Sequence, residues 1–233
     1  LGDIREGYVD EEELIAAAVE TEKLSRVDLY GIGTNLTCFS FIQADEEKME
    51  RLAEMRKKVE NAAGHTLEIV SGGNSAALDL MMRGGICEGV DNFRLGESLL
   101  FGKERSRYTF LPGTRNDGFI LECEVVEAKV KPSLPWGTAG VDSYGRKPVF
   151  IDRGEKRKKV ICAIGRQDFD AETATPVDEG ILILGASSDH LMLDVTDSVK
   201  EYKVGDIVEL RLGYFSVLRA FTSPYVEKIF LKK

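Results

Sequence analysis

Apolar residues recur at helical spacing through residues 9–24, VDEEELIAAAVETEKL, behind a first turn rich in acids, which predicts a helix. Residues 27–39, VDLYGIGTNLTCF, are β-branched, aromatic and broken by glycine, and read as a strand entering a loop. Residues 44–64, ADEEKMERLAEMRKKVENAAG, carry a strong amphipathic pattern and stop at Gly64, a second helix with a glycine terminator. The run TLEIVSGG (66–73) predicts a short apolar strand, NSAALDLMMRGG (74–85) a short helix, and GVDNFRLGESLLFG (89–102) a further strand and loop. Helix, strand, helix, strand, helix, strand is the order of parallel βα units. Ahead of them, LGDIREGYVD (1–10) reads as the end of a strand followed by a loop; with Leu1 in place of Met, something is expected to precede it.

The pattern changes after about residue 106. FILECEVVEAKVK (119–131) alternates as a half-buried strand. KPVFIDRG, KKVICAIG, GILILGAS, HLMLDV, GDIVELRL and PYVEKIFLK follow as short strands between turn residues, with a possible helical turn near 216–221. Two domains are expected, 1–106 of alternating α and β, and 107–233 of β structure.

Composition narrows the class. The 233 residues are 43% hydrophobic and 30% charged with a net charge of −9. That composition is globular and offers no basic stripe for nucleic acid. No apolar run is long enough to span a membrane as a helix, and no charged-then-apolar leader opens the chain. The four cysteines, Cys38, Cys87, Cys123 and Cys162, form no CxxC pair and each sits in or beside an apolar segment. They read as reduced core thiols of a cytosolic protein. His65 and His190 lie near none of them in sequence, so no metal site is expected.

The stretch VSGGNSAA (70–77) holds more donors than a turn needs. A strand, a Gly/Ser/Asn turn and a helix start gather free backbone N–H groups, which suits an anion. Ser75 could add a hydroxyl, while Gly72, Gly73 and Gly96 could let backbone approach an oxygen closely; the plainer reading is a βα turn with an Asn or Ser cap. Arg94 stands on a strand between Phe93 and Leu95. Pointing into a barrel mouth it must meet an anion or an acceptor; a structural ion pair is the alternative.

These motifs resemble one family. SGGNSAA followed by NFRLGESLLFG resembles the last two barrel strands of the alanine-racemase-like enzymes, and GDIREG and GIGTNLTCF resemble the strand ends before them. AIGRQD, ILGASSDHLMLD, VGDIVEL and TSPYVEK resemble that family's C-terminal β domain, in the branch that includes ornithine racemase. The resemblance implies the C-terminal half of a (β/α)8 TIM barrel followed by a mostly antiparallel β-domain. It implies pyridoxal 5'-phosphate, racemisation of a basic or small amino acid by exchange of the α-proton between two bases, and a cytoplasmic homodimer whose subunits share sites.

The same resemblance assigns residues. Ser75, Gly73 and Asn74, with Gly96 and the Glu97 backbone, fall at the cofactor phosphate, Arg94 at the pyridine nitrogen, and Tyr225 where a tyrosine reaches the phosphate. Ser188 and Asp189 fall on a segment able to contact the substrate carboxylate. Two departures stand out. No lysine matches the one that attaches the cofactor, since Lys103, Lys129 and Lys131 lie in other segments. Gly140 stands near the position of the family's catalytic tyrosine, leaving Asp142 or Tyr144 as substitute bases or as ordinary turn residues. A non-catalytic cofactor-binding remnant, and a barrel enzyme for another phosphorylated ligand, are the rival readings. Asp3 and Glu6 near the mouth suggest a basic substrate.

Overall fold

The structure is a computed structural model that describes residues 1–142 and 145–232. The chain divides into two compact units, Leu1–Asn116 and Asp117–Lys233.

The first unit alternates as its pattern requires. Helix α1 (Glu11–Glu22) begins at Asp10, whose carboxylate accepts the N–H groups of Glu12 and Glu13 at 2.7 and 3.1 Å, satisfying donors that the first turn leaves free. Helix α2 (Glu46–Ala63) is capped by Asp45 and ends at Gly64, which takes the left-handed conformation at φ 84°. Met49, Leu52, Met55 and Val59 of α2 are buried, the one-sided stripe expected of an amphipathic helix. Strands β1 (Gly31–Gly33), β2 (Ile69–Asn74) and β3 (Asn92–Arg94) pair in that order, all parallel. A 3-10 turn (Ser75–Ala77) leads into α3 (Leu78–Met82), and α4 (Glu97–Phe101) follows β3. One side-chain cluster joins Leu36, Met49, Leu52, Val70, Leu80 and Val90; another joins α1 and α2 through Ala18, Met55, Val59 and Leu67. The opening residues 1–10 are irregular, contrary to the strand end read in them. Gly2, Ile4 and Gly7 have φ of 103°, 46° and 92°, values outside the strand region.

The second unit is an antiparallel sheet of six strands in the order β6-β9-β4-β5-β8-β7. Its members are β4 (Ile120–Lys131), β5 (Arg157–Cys162), β6 (Ala174–Pro176), β7 (Leu182–Ala186), β8 (Leu191–Asp194) and β9 (Ile207–Leu212). The edge strands β6 and β7 approach one another, so the sheet is a nearly closed barrel. Alternate residues of β4, Leu121, Cys123 and Val125, point into one core with Val160, Leu193, Val208, Leu210 and Phe169, the period-2 pattern of a strand with one buried face. Arg157 crosses to Asp194 at 2.8 Å and to Asp197 at 2.7 Å.

Two expected strands are absent, and one turn is larger than read. Residues 147–154 and 224–232 are irregular. Val149, Phe150, Ile151, Tyr225, Ile229 and Phe230 are exposed: an apolar run makes a strand only where a neighbour completes its ladder. Residues 216–221 lie inside a nine-residue helix, α5 (Tyr214–Thr222), which buries Ser216 and Ala220. Cys123 and Cys162 are buried thiols, Cys87 is half-buried, and Cys38 is exposed on the loop after β1, not in a core. The chain is thus part of a (β/α) barrel followed by an antiparallel β domain.

Candidate functional site

Parallel strands deliver their C-terminal ends to one side, and here three ends meet. Asn74 at the end of β2 is the register partner of Arg94 at the end of β3. Arg94 donates through Nη1 to the Ser71 hydroxyl and through Nη2 to the Thr34 carbonyl at 2.8 Å. One guanidinium therefore ties together β2, β3 and the loop after β1, and both acceptors are neutral. Its side chain is exposed and lines a concavity of about 760 Å³ together with Gly33, Thr34 and Asn35.

Ser75 is 4% exposed. Its Oγ accepts the backbone N–H groups of Gly96 and Ser98, each at 3.2 Å, and lies 3.1 Å from the Ser98 hydroxyl. The turn after β2 and the start of α4 thus face each other through hydroxyls and N–H groups. Asn74 donates to Asn35 Oδ1 at 2.6 Å, to the Leu36 carbonyl at 2.8 Å and to Cys38 Sγ at 3.3 Å, and its Oδ1 accepts the Ala76 N–H at 2.7 Å. It fastens the Ser75 turn to the loop after β1.

The glycines differ in what they are for. A Cβ on Gly72 would lie 2.6 Å from Phe93 and 2.8 Å from Val90, so packing under the sheet fixes that glycine, not approach to a ligand. Gly73 has φ 120°, a conformation that side chains disfavour. At Gly96 a Cβ would meet no atom within 4 Å, so the surface there is open. Glu97 follows at the first position of α4, with its carboxylate 3.4 Å from Arg105 Nη1.

The opening segment forms the other wall. Asp3 is 5% exposed, and its two carboxylate oxygens accept the N–H groups of Phe39 and Ser40 at 3.0 Å each. It is a clamp on the loop after β1 and is not free to meet a substrate. Glu6 lines the concavity, pairs with Arg5 and accepts from Asn35 Nδ2 at 3.4 Å. The Arg5 bond first, and the Asn35 amide and Arg94 charge with it, lower its pKa to about 2.

The remaining candidates belong to the second unit. Ser188 and Asp189 form the tip between β7 and β8. The Ser188 hydroxyl donates to Asp189 Oδ1 at 3.0 Å, which also lies 3.1 Å from His190 Nδ1; these bonds hold the carboxyl below its ordinary value. The tip packs on residues 165–168: the N–H groups of Arg166 and Gln167 donate to the carbonyls of Ser187 and Ser188 at 2.8 and 3.0 Å. A Cβ on Gly165 would lie 2.3 Å from the Asp189 nitrogen. Asp142, which is exposed, accepts from the backbone and side chain of Arg146 at 2.9 and 3.0 Å. Tyr225 is 78% exposed, and its N–H donates to the Ser223 hydroxyl at 3.1 Å. Tyr144 lies outside the described residues.

Ser71, Thr34, Asn35 and Ser98 carry as much of the first-unit arrangement as the residues read from the sequence. Ser98 had a signal, one residue beyond the LGE motif; Thr34 contributes only a carbonyl, which no side-chain pattern reveals. The Ser75 and Ser98 hydroxyls and the Arg94 guanidinium, with open space at Gly96, can meet an anionic group and an acceptor atom of one ligand; the implied cofactor, with a phosphate at one end and a ring nitrogen at the other, is compatible with that set.

No family model matches the chain. It is 46% identical over 228 residues to the ornithine racemase of Acetoanaerobium sticklandii, an alignment covering 98% of this chain. It is 42% identical over 230 residues to the lysine racemase of Thermotoga maritima, covering 99% of this chain. The chain is similar in sequence to these two racemases along nearly its whole length. It spans 64% and 63% of their lengths. Among solved structures, the D-threonine aldolase of Filomicrobium marinum matches at TM-score 0.59 and 11% identity, over 92% of this chain and 53% of that one. The alanine racemase of Bartonella henselae with covalently bound pyridoxal phosphate matches at TM-score 0.53 and 18% identity, over 85% of this chain and 52% of that one. These two likenesses establish the fold. An aldolase and a racemase share it, so the fold alone does not choose the reaction.

Proposed function

We propose that the protein containing this chain is a pyridoxal-phosphate-dependent amino-acid racemase acting on a diamino acid such as ornithine or lysine. The observation that carries this reading is the pairing of Asn74 with Arg94, which sets the Ser75 turn and the Arg94 guanidinium side by side on adjacent strand ends. The identity to ornithine and lysine racemases supports it.

In this reading the hydroxyls of Ser75 and Ser98 and the Glu97 N–H would hold the phosphate, the open surface at Gly96 would give it room, and Arg94 would face the ring nitrogen. When bound, the cofactor supplies an electron-withdrawing ring that acidifies the α-C–H of an amino acid. An arginine does not give up its proton, so Arg94 would leave a ring nitrogen opposite it largely unprotonated, which would restrain side reactions and favour returning a proton to the α-carbon. Proton exchange on both faces needs two bases. Asp142 or Tyr144 would be one, carried by a second copy of the chain, with Ser188, Asp189 and Tyr225 at the same shared site. The other would be the lysine that holds the cofactor, for which residues 1–233 offer no matching segment. Domains of 1–106 and 107–233, a homodimer and a cytoplasmic setting complete the proposal.

The intact protein mixed with pyridoxal phosphate should develop visible absorption and should lose α-deuterium from labelled ornithine or lysine into water. Absorption without exchange would favour a non-catalytic cofactor binder. Neither signal, with a sugar phosphate bound instead, would favour an enzyme for another phosphorylated ligand. Arg94→Glu should protonate the ring nitrogen and raise the share of transamination products; an unchanged product ratio would remove Arg94 from its assigned place.

A further inference from the structure

The concavity that holds Arg94 also holds several acids, and the structure separates them by what each is already doing. Asp3 is buried and has given both oxygens to backbone N–H groups. Asp10 caps α1, and Glu11 pairs with Arg51 and Lys58. Glu47 belongs to the acidic first turn of α2, where a negative charge steadies the helix. Glu6 alone among these lining acids has its carboxylate bonded to a side chain of the loop after β1, where Asp3 takes backbone N–H groups. Its Oε1 accepts from Asn35, and the neighbouring Thr34 supplies the carbonyl that holds Arg94.

We propose that Glu6 is a specificity-determining residue, the carboxylate that receives the side-chain ammonium of a diamino acid. This rests on the racemase reading above and deepens it by assigning the charge that tells a diamino acid from a neutral one. Arg5 contacts both carboxylate oxygens and Asn35 contacts one. A carboxylate has about four acceptor positions, so room for one ammonium N–H remains. Glu6 stays ionised wherever the ammonium is charged, because its pKa is lowered to about 2 while an alkyl ammonium titrates near 10. Asn35 in turn accepts from Asn74 at 2.6 Å. The acid that reads the side chain is therefore braced by the amide that fixes the Ser75 turn, and the two ends of the site keep one spacing.

The test compares lysine with norleucine, which has the same carbon chain and no terminal amine, in the intact protein loaded with pyridoxal phosphate. Racemisation is followed by α-deuterium loss in the wild type, Glu6→Gln and Glu6→Asp. The expected result is that the ratio of kcat/KM for lysine over norleucine falls at least tenfold in Glu6→Gln, mostly through KM, and recovers in part in Glu6→Asp. A ratio within twofold of the wild type overturns the assignment even where absolute rates fall, because loss of structure lowers both substrates together. A wild type that exchanges deuterium in neither substrate overturns the racemase reading and this assignment together.

Discussion

The two units hold their strands together by different means. In the second, β4 runs for 12 residues and pairs on both sides, and a single core of inward side chains backs the sheet. In the first, β1 and β3 have three residues each. So short a ladder contributes little, and side chains do the fastening. Arg94 ties β3 to β2 and to the loop after β1, Asn74 ties the turn after β2 to that loop, and Asp3 ties the opening segment to the same loop. The residues with candidate chemistry are thus also the structural clips of the first unit. Substitutions there should change binding and stability together, whereas in the second unit the largest losses should come from the ladder and the core and leave the first unit's ligand affinity alone.

The largest effect should come from Asp194→Ala. Asp194 is 1% exposed and holds Arg157 at 2.8 Å and the Thr196 hydroxyl at 2.6 Å. Its removal deletes the bonds from Arg157 Nε, the Thr196 N–H and the Thr196 hydroxyl and leaves Arg157 with Asp197 alone, so a loss of about 3 kcal/mol, roughly 1 per bond, is expected in denaturant unfolding. Burial raises the Asp194 carboxyl, but the Arg157 and Thr196 bonds outweigh it and leave it below its ordinary 3.8. The stabilisation is therefore present above that value and lost as pH falls through the folded one, a slope that Asp194→Ala should abolish.

Ser75→Ala comes next. It leaves the Gly96 and Ser98 N–H groups without their acceptor, a cost of about 2 kcal/mol. Unfolding of the protein without cofactor should show that loss, and pyridoxal phosphate affinity should fall with it. Unaltered stability with lost affinity would make Ser75 a ligand residue only and break the comparison drawn above. Asn74→Ala should cost about 1 kcal/mol through the lost cap at Ala76 and the lost clip to Leu36. Because Asn74 and Ser75 share one turn, the double variant should depart from additivity by roughly 0.5 kcal/mol or more, which a double-mutant cycle measures.

Much of this was legible because helices and parallel strands are written locally. The stripe of Met49, Leu52, Met55 and Val59 and the stop at Gly64 can be read one residue at a time. So can Ser75 and Arg94, since glycine-rich turns and a cation on a strand are conspicuous. What escaped depends on pairing at a distance. PYVEKIFLK has the composition of a strand, yet 224–232 joins no ladder among the described residues. Gly72 looks like a ligand glycine until Phe93 is seen above it. Asp3 and Glu6 are both acids on one loop, and only their partners, two backbone N–H groups against an arginine and an amide, separate a clamp from an available charge.

The smallest effect sharpens the comparison from the periphery of the first unit, where α1 and α2 also lean on a side-chain contact. His65, just past the Gly64 cap, places Nε2 3.0 Å from Glu22 at the end of α1. The Glu22 bond first, then that to the Thr66 carbonyl, raises the His65 pKa above its ordinary 6.5. A group whose folded value is raised stabilises fully below the unfolded value and loses that contribution as pH rises through the folded one. Stability of the wild type should therefore decline from pH 6 towards pH 8 relative to His65→Gln, with the two converging at the upper end. The contact is solvent-exposed, so added salt should flatten the difference. Thermal unfolding of both proteins across that range checks it, and parallel curves would show that the His65–Glu22 contact adds nothing to the α1–α2 pairing made by Ala18, Met55 and Val59 and by Glu11 with Arg51 and Lys58.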